Sequence, residues 1–309
     1  MENGTEDLMY LEEMRFKIQK MNKYIMIIFV LMSIVFFSVG IIAFFNADSV
    51  IEVVVAAAAS AVPFLIILIV ISKKKSPLDK KYKESFEKSV VNKALESVLD
   101  VKEFEREKGF EEKIIIESKI FPYYENYMGE DYLSAEYHGT HFLQADVKMT
   151  KEVEEYYKDS KGNRRVRMVT VNAFTGRLIV VHYDAISNEP VFVHDRRIQS
   201  IETIVETELQ SFNDRFSIEA ESPQSAFRIL TPQVLEGIVN ASDKLNCPIS
   251  MAFMNDKIYI ALASGDSFVI TNMRGETLLQ QQERIRGDVQ IILDLIDSIY
   301  LKQNGEVHV

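Results

Sequence analysis

At 309 residues, the chain has room for a membrane anchor plus one domain of about 200 residues, ample for a hydrophobic core. Its 35 Lys+Arg against 46 Asp+Glu leave a net charge of -11, which argues against a general nucleic-acid binder, because such proteins grip phosphates through a basic footprint. The single cysteine, Cys247, cannot close an intramolecular disulfide, so the chain is compatible with a reducing compartment. Its place beside Pro248 after an apolar run reads as buried filler rather than as a nucleophile.

Residues 1–23 form a polar N-terminal segment read as cytoplasmic and amphipathic, and residues 24–45 then run 22 positions without a charge. A helix of that length reaches roughly 33 Å, enough for a hydrocarbon core. Residues 53–72 are again without a charge. Asn46, Asp48 and Glu52 lie between, and carboxylates at membrane depth cost about 2.5–3.5 kcal/mol each. The expectation is a transmembrane hairpin over 24–72, with spans at about 24–45 and 53–72 and a kink at Pro63. Lys20 and Lys23 precede the first span, and Lys73, Lys74 and Lys75 follow the second, whereas the turn has no Lys or Arg. The positive-inside rule places both termini in the cytoplasm of a two-span protein of the cell membrane. A cleaved signal peptide is the competing reading of the first span, opposed by the acid-rich stretch ahead of it.

Juxtamembrane helices are expected over 73–118. Ser76 as cap, Pro77 at the first helical position and Asp79 near the dipole open an amphipathic helix over 76–101, and a charged link then leads to a short helix around Phe110–Ile116. Residues 119–309 read as a cytoplasmic α+β domain with a mostly antiparallel sheet and packed helices, because strands and helices do not alternate in a βαβ rhythm. Its strands are expected in 132–150, 165–183, 189–194, 249–253, 257–263 and 267–271, with KDSKGNRR (158–165) as a hairpin tip. Helices are expected over 230–245, opened by Thr231 and Pro232, and at the end of the chain, where Ile285, Val289, Ile292, Leu293, Ile296 and Tyr300 trace one apolar face.

Phe174-Thr175-Gly176, Glu208 with Phe212 and Phe216, Ala226, Leu230-Thr231-Pro232 and Ile258-Tyr259-Ile260-Ala261 together resemble the bacterial domain-of-unknown-function family 3137. The resemblance spans about residues 80–300 and implies two apolar spans ahead of a cytoplasmic domain. It also implies a partner, since such proteins are sometimes encoded beside LemA-type membrane proteins. The family has no established activity, so no catalytic residue carries over, and the charged hairpin at 151–167 lies outside its pattern.

Signatures of chemistry are sparse. GxSxG, GxxxxGK[ST], GxGxxG, HExxH and paired CxxC are all missing, so no catalytic residue and no cofactor is assigned. His138 and His141, three apart in a strand, point to opposite faces unless Gly139 makes a bulge. With His182 and Asp184 they form the one metal-ligand set the sequence offers. Lys158, Lys161, Arg164, Arg165 and Arg167 crowd the hairpin tip as a contact surface for headgroups or an acidic partner. Two function readings follow: a membrane-anchored cytoplasmic binding or scaffolding module that engages protein partners at the inner leaflet, or a membrane-bound metal-dependent hydrolase using the histidine set. The lipid bilayer and a membrane or cytoplasmic protein are the expected partners, and nucleic acid is not. Transport is weakened by two spans without an internal charge.

Overall fold

Apolar side chains dominate the first hundred residues, and the chain folds them into long helices in a computed structural model that describes residues 2–46, 49–182, 189–199, 201, 205–265, 268–269 and 275–304. The chain divides into two units, residues 1–93 with 272–281 and residues 94–271 with 282–309.

In the first unit, α1 (Glu2–Asn46) and α2 (Val50–Phe86) pack along each other. Among the described residues one helix is long and apolar enough to cross a membrane, the stretch Glu6–Ala43 of α1, with a mean hydropathy of 3.0 in its most apolar window. Ser49 caps α2, its Oγ accepting the Glu52 amide at 3.3 Å, so the polar interruption is a helix start. Away from the apolar runs the pair is held by a narrow seam: Leu11, Met14 and Ile18 are buried on α1, and Tyr82 and Phe86 on α2. Lys81 Nζ sits 5.3 Å above the Tyr10 ring, and burial pushes the Tyr82 phenol up to about 12.

The helix expected to begin at Ser76 does not begin there. Ser76, Pro77 and Asp79 lie inside α2, which runs unbroken to Phe86. Pro77 removes the donor for the Lys73 carbonyl, but that turn is exposed to solvent, and the Lys75–Asp79 ion pair at 2.8 Å spans the proline. A π-helical turn (Glu87–Val91) and a short α3 (Asn92–Glu96) follow, so the helix ends before residue 101.

In the second unit, eight described strands form one sheet: β1 (Asp100–Glu105), β2 (Asn126–Tyr137), β3 (Thr140–Lys158), β4 (Arg164–His182), β5 (Val191–Asp195), β6 (Phe216–Ala220), β7 (Ile249–Met254) and β8 (Lys257–Leu262). Their order is β1-β2-β3-β4-β8-β7-β5-β6, and every ladder is antiparallel. Strand β1 replaces the expected charged link. Its Lys102 bonds Asp100 and approaches Glu136 at 3.5 Å, which is how an edge strand keeps charge in water. The expected run 132–150 is split by a two-residue turn, His138 (φ 49°) and Gly139 (φ 78°), in place of a bulge. Asn255 and Asp256, both at positive φ, make the equivalent turn between β7 and β8.

One sheet face buries Ala145, Val147, Met149, Leu178, Val180, Tyr259 and Ala261 beneath Ile115 of α4 (Glu112–Ser118) and the flanking Phe110 and Ile120. The other face carries Arg177, which reaches Asp288 of α8 (Leu278–Asn304) at 3.4 Å, while Tyr137 donates to Asp297 of the same helix at 2.7 Å. Ile285, Val289, Ile292, Leu293 and Ile296 of α8 are buried as the periodicity requires; the Tyr300 side chain lies outside the described residues. Most of the expected strand 267–271 also lies outside them. Its Phe268 and Val269 form a bend, their amides held by the buried carboxylates of Asp146 (2.6 Å) and Asp131 (3.3 Å) rather than by a ladder. A second buried carboxylate knot sits at Asp195, which accepts Arg197 Nη2 at 2.6 Å, Arg197 Nε at 2.9 Å and the Ile249 amide at 3.3 Å. It fixes the end of β5 against the start of β7.

The ladder between β4 and β8 ends at Arg177↔Leu262, one residue from Gly176. A Cβ on Gly176 would lie 1.8 Å from the Leu262 carbonyl oxygen, whereas one on Gly287 in α8 would meet nothing within 4 Å. We therefore expect Gly176→Ala to destabilise the chain by about 2 kcal/mol or more, and Gly287→Ala to stabilise it by about 0.5–1 kcal/mol. Circular-dichroism melts of the two variants in detergent should move in opposite directions.

Candidate functional site

Among the described residues, the three histidines selected for a metal, His138, His141 and His182, do not form a cluster of three. His138 occupies the β2–β3 turn with its ring 4.2 Å from that of Tyr137. His141 lies opposite Glu136 at the start of β3, and His182 opposite Lys257 at the end of β4. The β3–β4 register carries His141 and His182 toward each other on adjacent strands. Asp184 lies outside the described residues. Among the described residues no group of three or more His, Cys, Asp or Glu side chains is placed to hold a metal ion. Cys247 is buried, and burial raises its thiol pKa, which suits filler rather than a nucleophile.

A concave site does form where α6 (Pro223–Ile229) meets α7 (Pro232–Leu245). Its lining comprises Glu206, Thr207, Glu208 and Leu209 on one side and Phe227, Leu230, Thr231, Pro232, Leu235 and Glu236 on the other, around about 710 Å³. Local sequence builds each wall. Ser222 caps α6 in a capping box with Ser225, and Pro223 takes the first helical position. Thr231 caps α7 by accepting the Val234 amide at 3.4 Å, again with proline next. The third wall hangs on Asn213 of α5 (Gln210–Asn213), whose Oδ1 accepts the Thr207 amide at 3.0 Å and whose Nδ2 donates to the Thr207 carbonyl at 2.7 Å. Phe212 and Phe216 stack below, with ring centroids 4.8 Å apart.

The floor is apolar, with Leu230 and Leu235 buried, while Phe227 stands 49% exposed in the wall. Glu206, Glu208 and Glu236 are exposed, and among the described residues no Lys or Arg lines the groove. This chemistry suits an apolar side chain flanked by cations, and it supplies neither a nucleophile nor a metal set. Several residues that carry the sequence resemblance converge here, with Glu208, Leu230, Thr231 and Pro232 in the lining and Phe212 and Ala226 buried. Sequence reading did not pick out the groove, although the Ser222-Pro223 and Thr231-Pro232 helix starts, nine residues apart, were the available signal.

The basic cluster is at the tip of the β3–β4 hairpin, as the turn residues 159–163 predict. Arg165 pairs with Asp159 at 3.3 Å, and Arg167 pairs with Glu155 at 2.5 Å while lying 5.2 Å over the Tyr157 ring. Arg164 faces Lys158 across the strands.

His194 is a buried titratable group outside these surfaces, 2% exposed and stacked at 5.9 Å on Phe192. Burial holds its pKa below the usual histidine value, against the pull of Glu219 3.4 Å away. The imidazole is therefore neutral when folded and takes a proton more readily when unfolded, so the stability it contributes is full above about pH 6.5 and is lost as pH falls. We expect the melting temperature to drop between pH 7.5 and 5.5 by more in the wild-type chain than in His194→Phe, and equal slopes would exclude His194 as the cause.

Residues 166–301 match the family model described as "Protein of unknown function (DUF3137)". The match begins on the second strand of the β3–β4 hairpin, so it is shorter than the span of about 80–300 read from motifs alone. No curated protein matches the chain. Among solved structures the crystal structure of the mycobacterial trehalose monomycolate transport factor A, TtfA, is similar over 67% of this chain and 91% of that one, at 11% identity and a TM-score of 0.32. The transport role in that name is that protein's own. The C-terminal part of the chain thus resembles a family of unknown function, and its groove is built from residues within the matched segment.

Proposed function

We propose that the chain is a membrane-anchored cytoplasmic binding or scaffolding module that captures a basic, partly apolar segment of a protein partner at the inner leaflet. The groove between α6 and α7 carries this reading, because an apolar floor under three exposed carboxylates is complementary to that chemistry. A LemA-type membrane protein is the first partner to test.

The anchor is a two-span hairpin. Support comes from the uncharged run 53–72 in α2, from the exposure of Val54, Val55, Val62, Leu65, Ile66, Ile67, Ile69 and Val70, and from the apolar surface of α1. Apolar groups exposed at this density suit lipid rather than water. The flanking Lys20, Lys23, Lys73, Lys74 and Lys75 orient both termini to the cytoplasm and lie near anionic headgroups, where each contributes about 1 kcal/mol.

Two measurements follow. Capture from detergent-solubilised membranes should recover a partner with the wild-type chain and lose it at least tenfold, about 1.4 kcal/mol, with Phe227→Ala or with Glu206, Glu208 and Glu236 all changed to Lys. Capture of the same partner unchanged by these substitutions would remove the groove from the reading. For topology, a cysteine at Ser49 should react with an impermeant thiol reagent on intact cells and one at Ser160 should not, and the reverse labelling would invert the orientation.

A further inference from the structure

Beyond the body of the sheet the β3–β4 hairpin continues as a two-stranded ribbon, residues 151–158 against 164–171, paired one to one. Strand β2 accompanies β3 only to Thr150, and β8 accompanies β4 only from Arg177. Eight residue pairs extend about 26 Å, and an isolated two-stranded ribbon is marginal in water.

Its two faces differ in how they treat charge. One face carries Lys151, Val153, Glu155 and Tyr157 opposite Val171, Val169, Arg167 and Arg165, and its arginines are satisfied within the hairpin by Glu155 and Asp159. The other face carries Glu152, Glu154, Tyr156 and Lys158 opposite Thr170, Met168, Val166 and Arg164. Tyr156, Val166 and Met168 are 70%, 52% and 56% exposed there. Lys158 and Arg164 stand directly opposite each other, an arrangement that costs stability. Among the described residues neither has an acidic partner, and Glu152 and Glu154 have no basic one, the Glu154 carboxylate accepting only the Tyr156 hydroxyl at 2.9 Å.

Charge along this face therefore runs from positive at the tip, where Lys158 faces Arg164, past Tyr156 and Val166, to negative toward the root, where Glu154 faces Met168 and Glu152 faces Thr170. We propose that the face packs on the same face of a second copy of the chain, antiparallel about a two-fold axis. Lys158 and Arg164 of one copy then meet Glu152 and Glu154 of the other, around a centre of Tyr156, Val166 and Met168. A face whose charge pattern is complementary to its own reversal satisfies the requirement of a two-fold interface that each patch bind itself. An anionic lipid surface would attract the tip and repel the root of the same face, which carries two cations and two anions. The pairing is independent of the α6–α7 groove.

The test uses the full-length chain in detergent with two affinity tags, co-purification, and mass by light scattering. Wild type should be dimeric. A tip variant, Lys158→Glu with Arg164→Glu, and a root variant, Glu152→Lys with Glu154→Lys, should each fall at least tenfold in self-association. Mixing the two variants, or combining all four changes in one chain, should restore pairing, which also shows that the variants fold. A monomeric wild type, reversed variants that stay dimeric, or a mixture that fails to pair would each overturn the proposal. A tip variant that stays dimeric but no longer binds phosphatidylserine vesicles would assign the tip to lipid instead.

Discussion

The six-pair ladder between β4 and β8, from Arg177↔Leu262 to His182↔Lys257, is the interaction on which the sheet depends. Strands β2 to β4 are joined by local hairpins, with β1 added at the edge ahead of α4, and β5 to β8 form a second group, with β4 and β8 side by side where the groups meet. The residues that pair are some 75–85 positions apart, so the ladder must close a long loop before it gains hydrogen bonds. Where it ends is set by steric fit, since Gly176 passes so close to the Leu262 carbonyl that no side chain fits. Both faces at this junction are filled, Leu178 and Val180 toward α4 and Ile179 and Val181 away from it. The ladder thus aligns two hydrophobic surfaces at once.

That ending has a consequence for the surface. Because β8 stops at Leu262 and β2 pairs no further than Thr150, the remaining length of β3 and β4 has no neighbouring strand among the described residues. The register shift at Ala173, between Met149↔Phe174 and Thr150↔Asn172, falls where this support is lost and adds twist there. The ribbon is therefore a product of the same pairing that builds the core.

Much of the sheet was legible because its signals are local. Asn255-Asp256 and the turn residues of 159–163 mark their hairpins, and Thr231-Pro232 and the repeat from Ile285 to Ile296 mark α7 and α8. The α+β class followed from them. Strand β1 was hidden because DVKEFE is an edge strand dressed in charge, and β6 because five residues give too few alternations to read. Pro77 misled because its position in a helix depends on what covers the freed carbonyl, which is a tertiary matter. His138 misled because His-Gly is a turn when strands flank it and a strand when they do not. Of the binding surfaces, the basic tip was legible from composition, but not its isolation from the sheet. The groove was not, since the exposure of Phe227 and the burial of Leu230 cannot be told apart in sequence.

The two surfaces also differ in what they exclude. The groove presents carboxylates of one sign around an apolar floor, so a second copy meeting it groove to groove would oppose Glu206, Glu208 and Glu236 with their own kind. On the proposed function its chemistry would favour an unlike partner. The ribbon face carries both signs at opposite ends of an apolar middle, so reversal brings unlike charges together and translation brings like charges together. Its chemistry selects the same chain in one orientation. A chain with one surface of each kind presents two grooves per pair, and a partner with two basic segments would bind the second at an effective concentration set by their spacing. If the proposed scaffolding function holds, such a pair would need no strong single contact, which suits a groove that is only partly apolar.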